Sequence, residues 1–119
     1  MPIETTRQSG ASAEDVAAAY LRRHGYQLIV RNYRCRAGEL DIIAIDRDTL
    51  VFVEVRSRRD REHGGAVAMI DARKRVQVER VARAYLARNP TALSRVRFDI
   101  VAITGDDVQL LRDAWRPRY

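Results

Sequence analysis

The chain has 119 residues, 46% of them hydrophobic, which suffices for one core and is the length of one domain. Lysine and arginine number 22 against 16 acids, a net charge of +6 with a pI near 10.2, which points to a polyanionic partner, most simply nucleic acid. A lone Cys35 excludes an intrachain disulfide, His24 and His63 lack zinc-ligand spacing, no apolar run approaches the ~18 residues of a membrane helix, and the start lacks a signal peptide's apolar stretch, so a cytoplasmic protein with no membrane attachment is expected.

Residues 1–11 are polar and aperiodic and read as a flexible arm, so the folded domain is expected over 12–115, with 116–119 as a tail. Ser12 is a natural helix N-cap, and Glu14 and Asp15 follow in the first turn, where carboxylates complement the helix dipole. The helix continues through Val16, Ala17, Tyr20 and Leu21 and ends at His24-Gly25. Residues 26–34 alternate and are rich in Tyr, Ile and Val, the pattern of a strand, and 35–38 form a turn. Two strongly apolar runs, 38–45 and 50–56, are joined by Asp46-Arg47-Asp48-Thr49 and read as a hairpin. Residues 58–68 are polar around Gly64-Gly65, a mobile loop. A second helix is predicted over 70–88, its apolar stripe formed by Val78, Val81, Ala82, Tyr85 and Leu86, with Asn89-Pro90 as the stop. A strand over 96–104, a turn at Gly105-Asp106 and a short strand over 108–111 complete the order α-β-β-β-α-β-(β), an α/β fold whose mixed sheet is flanked by helices.

The hairpin holds the chemistry. With Arg47-Asp48 at its tip, Ile43 faces Phe52, Asp41 lies across from Glu54, and Glu39 lies across from Arg56. This register gathers Leu40, Ile42, Ala44, Val51, Val53 and Val55 on one face and Ile43, Ile45, Leu50 and Phe52 on the other. A slip of one residue would mix the two sets and part the acids. Strands apolar on both faces are covered by helices. Directly opposed residues have Cβ atoms about 4.5–5.5 Å apart, and like charges there repel. Two such carboxylates call for a cation, and a metal ion in a basic chain is the profile of a nuclease. The competing arrangement is a closed ion-pair network in which Arg56 bridges Glu39 and Glu54 while Asp41 caps a turn. Asp99, inside a strand, is expected to pair with an arginine.

The basic residues divide into three groups. Arg58, Arg59 and Arg61 beside Gly64-Gly65 form a candidate phosphate-contacting loop, and Arg73 and Arg75 on the second helix join them as nucleic-acid contacts. Lys74, the only lysine, could approach the acids from that helix or stand solvated. Trp115 and Tyr119 could stack on bases, but Trp115 is expected to pack against the sheet.

The hairpin resembles the PD-(D/E)XK nuclease motif, with Asp41 as the first acid, Glu54 as the second and Arg56 where the motif has lysine. Gly38-Glu39-Leu40-Asp41-Ile42-Ile43-Ala44, Val51-Phe52-Val53-Glu54-Val55-Arg56-Ser57-Arg58 and Arg97-Phe98-Asp99-Ile100, with Gly25-Tyr26 and Arg31-Asn32 upstream, resemble the YraN-like family of bacterial proteins. That family is similar to Holliday-junction resolvases and restriction-endonuclease-like folds. The resemblance implies a restriction-endonuclease-like fold and Mg²⁺- or Mn²⁺-dependent cleavage of structured or branched DNA, or DNA binding on an inactive nuclease scaffold. It implies Asp41, Glu54 and the Val55 carbonyl as metal ligands, with Glu14 as a further candidate, and a homodimer; Glu39, on the same strand face as Asp41, is a weaker candidate. Arginine cannot lose its proton in a protein, so Arg56 is excluded as a general base and is left to orient water or neutralise charge, with Lys74 as the substitute.

Overall fold

The computed structural model describes residues 12–58 and 70–117. The expected arm (1–11), Arg59, Arg61, the Gly64-Gly65 loop and Tyr119 lie outside the described residues. Helix α1 (Ala13–Arg23) starts from a reciprocal cap: the Ser12 hydroxyl accepts the Asp15 N–H at 3.0 Å, and the Asp15 carboxylate accepts the Ser12 N–H at 3.2 Å. Two otherwise orphan amides are thereby satisfied. Gly25 then takes φ +88°, a conformation that L side chains resist, and reverses the chain into the sheet.

Strands β1 (Gln27–Cys35), β2 (Gly38–Asp46) and β3 (Thr49–Arg58) pair antiparallel in sequence order. Helix α2 (Ala72–Arg88) then crosses over, so β4 (Arg95–Thr104) lies parallel to β3, and β5 (Asp107–Trp115) returns antiparallel to β4. The result is one five-stranded mixed sheet in the order β1-β2-β3-β4-β5, with a helix on each face. This is the α-β-β-β-α-β-β arrangement expected from the sequence. Among the described residues, no helix is long and apolar enough to cross a membrane.

The β2–β3 register is the one that alternation selects, with Ile42 opposite Val53, Ile43 opposite Phe52 and Ile45 opposite Leu50. Ile42, Ala44, Val51, Val53, Val101 and Ile103 pack beneath Ala17, Ala18 and Leu21 of α1. Ile43, Leu50, Phe52, Phe98 and Ile100 pack beneath Val78, Val81, Ala82 and Tyr85 of α2. A fully buried leucine of this kind contributes about 1.5–3 kcal/mol through burial. Leu21→Ala should therefore cost about 2–5 kcal/mol and loosen α1 first.

Three elements depart from the sequence expectation. Leu40 packs in the α2-side cluster with Ile43, not with Ile42 and Ala44. Strict alternation is broken beside Asp41, just beyond the last β2–β3 pair, Ile42 with Val53. Helix α2 begins at Ala72 because Asp71 is its N-cap, its carboxylate accepting the Lys74 N–H at 3.0 Å. Strand β5 runs on to Trp115, past an irregularity where Asp113 has φ 54° and gives its N–H to the Asp99 carboxylate. Trp115 then stacks on Phe98, ring centroids 5.1 Å apart, against the sheet.

Candidate functional site

The β2–β3 ladder ends one residue short of the acids, and a side chain takes over from the backbone. Asp41 Oδ2 accepts the Val55 N–H at 2.8 Å, so the carboxylate is pinned to the end of β3 by a charge-assisted hydrogen bond. Glu54 continues the Leu50–Phe52 row, which faces α2. Its side chain is only 3% exposed.

Two cations reach Glu54. Lys74 Nζ, from the first turn of α2, lies 3.0 Å from Oε2, and Arg56 NH1 lies 3.6 Å from the same oxygen. The other oxygen, Oε1, is buried with no partner among the described residues. Burial, and then the charge of Asp41, push the Glu54 carboxyl up to about 7, while Lys74 and Arg56 pull the other way. Burial and Asp41 thus outweigh the two cations, and the carboxyl keeps its proton up to about neutral pH unless more positive charge is added.

Lys74 is itself held in place. Gln77, one turn on, accepts from Lys74 Nζ at 3.4 Å. Gly38, with φ +139°, lies so close that a Cβ there would come within 2.5 Å of Gln77 Nε2. A glycine at the start of β2 thus gives room to the glutamine that steadies the lysine.

Not every candidate joins this group. Glu14 is bound to Arg31 at 3.2 Å and to Asn32 at 2.8 Å. Glu39 pairs with Arg34 at 3.4 Å, so Arg56 does not bridge Glu39 to Glu54. The structure therefore brings Asp41, Glu54, Val55, Arg56 and Lys74 together and leaves Glu14 and Glu39 engaged on β1. Arg58 ends β3 with its Nε buried and without a partner among the described residues, as is Nε of Arg56. Arg73 and Arg75 are exposed on α2.

Among the described residues, no three His, Cys, Asp or Glu side chains form a metal-binding group. Magnesium needs less: it keeps several waters and takes one or two carboxylates together with phosphate oxygens. The unpartnered Glu54 Oε1, the neighbouring Asp41 and the Val55 carbonyl fit that requirement, and a divalent cation would offset both causes of the raised Glu54 pKa. Sequence reasoning found these acids through their register. It missed Gln77, whose only signal is its position one helical turn beyond the sole lysine.

A second buried acid occupies the other face. Asp99, fully buried, accepts from the Tyr26 hydroxyl at 2.7 Å, from Arg97 at 2.9 Å through both Nε and NH2, and from the Asp113 N–H at 3.0 Å. Arg97 also reaches Asp46 at 2.8 Å. Burial and the Asp99 carboxylate push the Tyr26 hydroxyl up to about 12. Asp99 pairs with an arginine, as expected; the part played by Tyr26, 73 residues away in sequence, was not foreseen.

Comparison with known proteins sets this geometry in a wider group. The model of the uncharacterised protein family UPF0102 matches residues 13–103. A UPF0102 protein of Halorhodospira halophila is 48% identical over 110 residues, covering 92% of this chain and 88% of the relative. One of Methylibium petroleiphilum is 47% identical over 118 residues, covering 93% of this chain and 96% of the relative. One of Pseudomonas aeruginosa is 46% identical over 107 residues, covering 89% and 86%.

Proposed function

The chain belongs to the uncharacterised protein family UPF0102, and on that premise we propose that it is a metal-dependent endonuclease hydrolysing phosphodiester bonds in structured or branched DNA. One observation carries this reading: the Lys74 ammonium lies 3.0 Å from Glu54, beside Asp41. Lysine two residues after the second acid is the motif's pattern, and here Arg56 stands in that place. Helix α2 supplies the amine from another direction.

Mg²⁺ or Mn²⁺ held by Asp41, Glu54 and the Val55 carbonyl would polarise the scissile phosphate and lower the pKa of a bound water. The chain's own groups do the rest. An ammonium has three N–H donors. One meets Glu54 and one meets Gln77, which leaves the third for the attacking water or a phosphate oxygen. Arg56 adds fixed positive charge where the phosphate gains negative charge. Water bonds to phosphorus, the bond to the leaving sugar oxygen breaks, and one proton passes from the water to that oxygen. A pair of symmetric cuts needs two centres, so a homodimer accompanies this reading.

A second reading, DNA binding on a nuclease scaffold without cleavage, is favoured by Arg56 at the lysine position. Incubation with four-way-junction, duplex and single-stranded DNA in Mg²⁺ or Mn²⁺ separates the two. The nuclease reading expects cutting that Asp41→Ala abolishes and that Lys74→Ala slows by about 10²-fold or more. Binding without cutting in either metal supports the scaffold, and cutting that persists in Asp41→Ala contradicts the site.

A further inference from the structure

Helix α2 carries Arg73, Lys74, Arg75, Arg80, Arg83 and Arg88 against a single acid, Glu79. That acid is already engaged, accepting the Trp115 indole N–H at 2.8 Å. Lys74 is bound to Glu54. The five arginines pair with no carboxylate among the described residues, whereas Arg31, Arg34, Arg97, Arg112 and Arg116 each do. Arg80 and Arg83, three residues apart on the helix, repel by a few tenths of a kcal/mol. This helix therefore maintains an uncompensated positive face at some expense to its own stability.

The face has a definite shape. At about 100° and 1.5 Å per residue, Arg73, Val76, Arg80 and Arg83 fall within an arc of about 80° and span about 15 Å. All four are exposed, on the side away from the buried Val78, Val81, Ala82 and Tyr85. A groove of about 630 Å³ lies beside the first part of the row, lined by Ala72, Arg73, Val76, Gln77 and Arg80. Gln77 belongs to both regions, since it also contacts Lys74, and so the groove adjoins the acidic centre.

We propose that this face of α2 seats the phosphate backbone of a DNA duplex arm, without reading its bases. The identity of the polymer rests on the nuclease reading above; the rest comes from the surface. Each strand of a duplex presents a phosphate about every 3.4 Å along the axis, so a row of about 15 Å meets several. Proteins that hold single strands stack bases on accessible aromatic rings. Here every described Phe, Tyr and Trp is buried or half-buried: Tyr33 packs edge-on against Tyr85, Trp115 stacks on Phe98, and Tyr20 on α1 stacks with the exposed His24. A protein partner would need buried apolar or aromatic anchors at the centre of its interface, and the row offers only Val76.

The test reads binding in EDTA, apart from cleavage, by fluorescence anisotropy of a labelled DNA duplex, an RNA duplex and a single DNA strand of equal length. The wild type should bind the duplex more tightly than the single strand. The triple variant Arg73→Gln/Arg80→Gln/Arg83→Gln should weaken duplex binding at least ten-fold at about 50 mM salt and lower the slope of log K against log salt by about 2–3. Glutamine is a good helix former, and circular dichroism should report an unchanged fold. The control Arg22→Gln/Arg23→Gln, on α1, should leave the slope as it is. Wild-type affinity and slope in the triple variant, preference for the single strand or for an RNA duplex, or no binding by the wild type would each overturn the proposal. A protein that binds through this row yet cuts nothing would overturn the nuclease reading and leave the docking face standing.

Discussion

Glu54 and Asp99 sit at adjacent levels of neighbouring strands, since Asp99 pairs with Val53 and Glu54 with Ile100. Both are buried, at 2% and 0% exposure, and they face opposite helices. Their surroundings differ sharply. Asp99 has four hydrogen bonds, from a phenol, a guanidinium and a backbone amide. Glu54 keeps one oxygen without a partner among the described residues, and burial, with a second carboxylate beside it, raises its pKa. A saturated buried acid belongs to the fold, whereas on the proposed reading the one left incomplete at the end of a ladder is where a cation would bind. The contrast teaches that burial alone does not mark a site; unfinished coordination does.

Mutation should break this symmetry in opposite senses. Asp99→Ala removes four buried hydrogen bonds and leaves Arg97 only Asp46 as an acidic partner, which should cost about 3–5 kcal/mol in urea unfolding. Glu54→Gln at pH 8, without metal, should cost far less and can stabilise, because it replaces a charge that its pocket disfavours. A large loss from Glu54→Gln together with a small one from Asp99→Ala would reverse the assignment.

The next largest effect is a pH dependence. The Glu54 carboxyl is raised from 4.5 to about 7, so the native state holds its proton more tightly than the unfolded chain does. That contribution to stability is fully present below about 4.5 and is lost as pH rises through about 7, on the order of 3 kcal/mol in all. Metal-free wild type should therefore lose stability relative to Glu54→Gln across this window. Parallel pH profiles for the two proteins would sink the claim.

The smallest effect concerns Gly38 and Gln77. Gly38→Ala combines backbone strain with a collision against the Gln77 amide. In a Gln77→Ala background the collision disappears and only the strain remains. A double-mutant cycle on stability should show coupling of about 1 kcal/mol between the two positions. Additive losses would mean that the glycine serves the turn alone.

How much of this was legible follows the physics. The hairpin register could be read because both of its faces are apolar and a slip has visible consequences. The expected order of elements needed only periodicity and caps. Capture of the Val55 N–H by Asp41 was not legible, because nothing in a local pattern says where a ladder stops. The position of Leu40 failed for the same reason. Lys74 stood out only as the sole lysine, and its approach to Glu54 depends on how α2 is set by its Asp71 cap and its packing. The Tyr26–Asp99 bond joins residues 73 apart, beyond any periodic signal. Glu14 and Glu39 were plausible by proximity in sequence or resemblance, but each meets an arginine on β1 first.

The central claim is that Glu54 and Asp41 form an unfinished cation site. Isothermal calorimetry with Mn²⁺ tests it most directly, comparing wild type with Asp41→Ala and Glu54→Gln at pH 8. One site in the wild type, lost in both variants whose folds persist, is the predicted result. Equal binding by all three proteins, or none by the wild type, would contradict it.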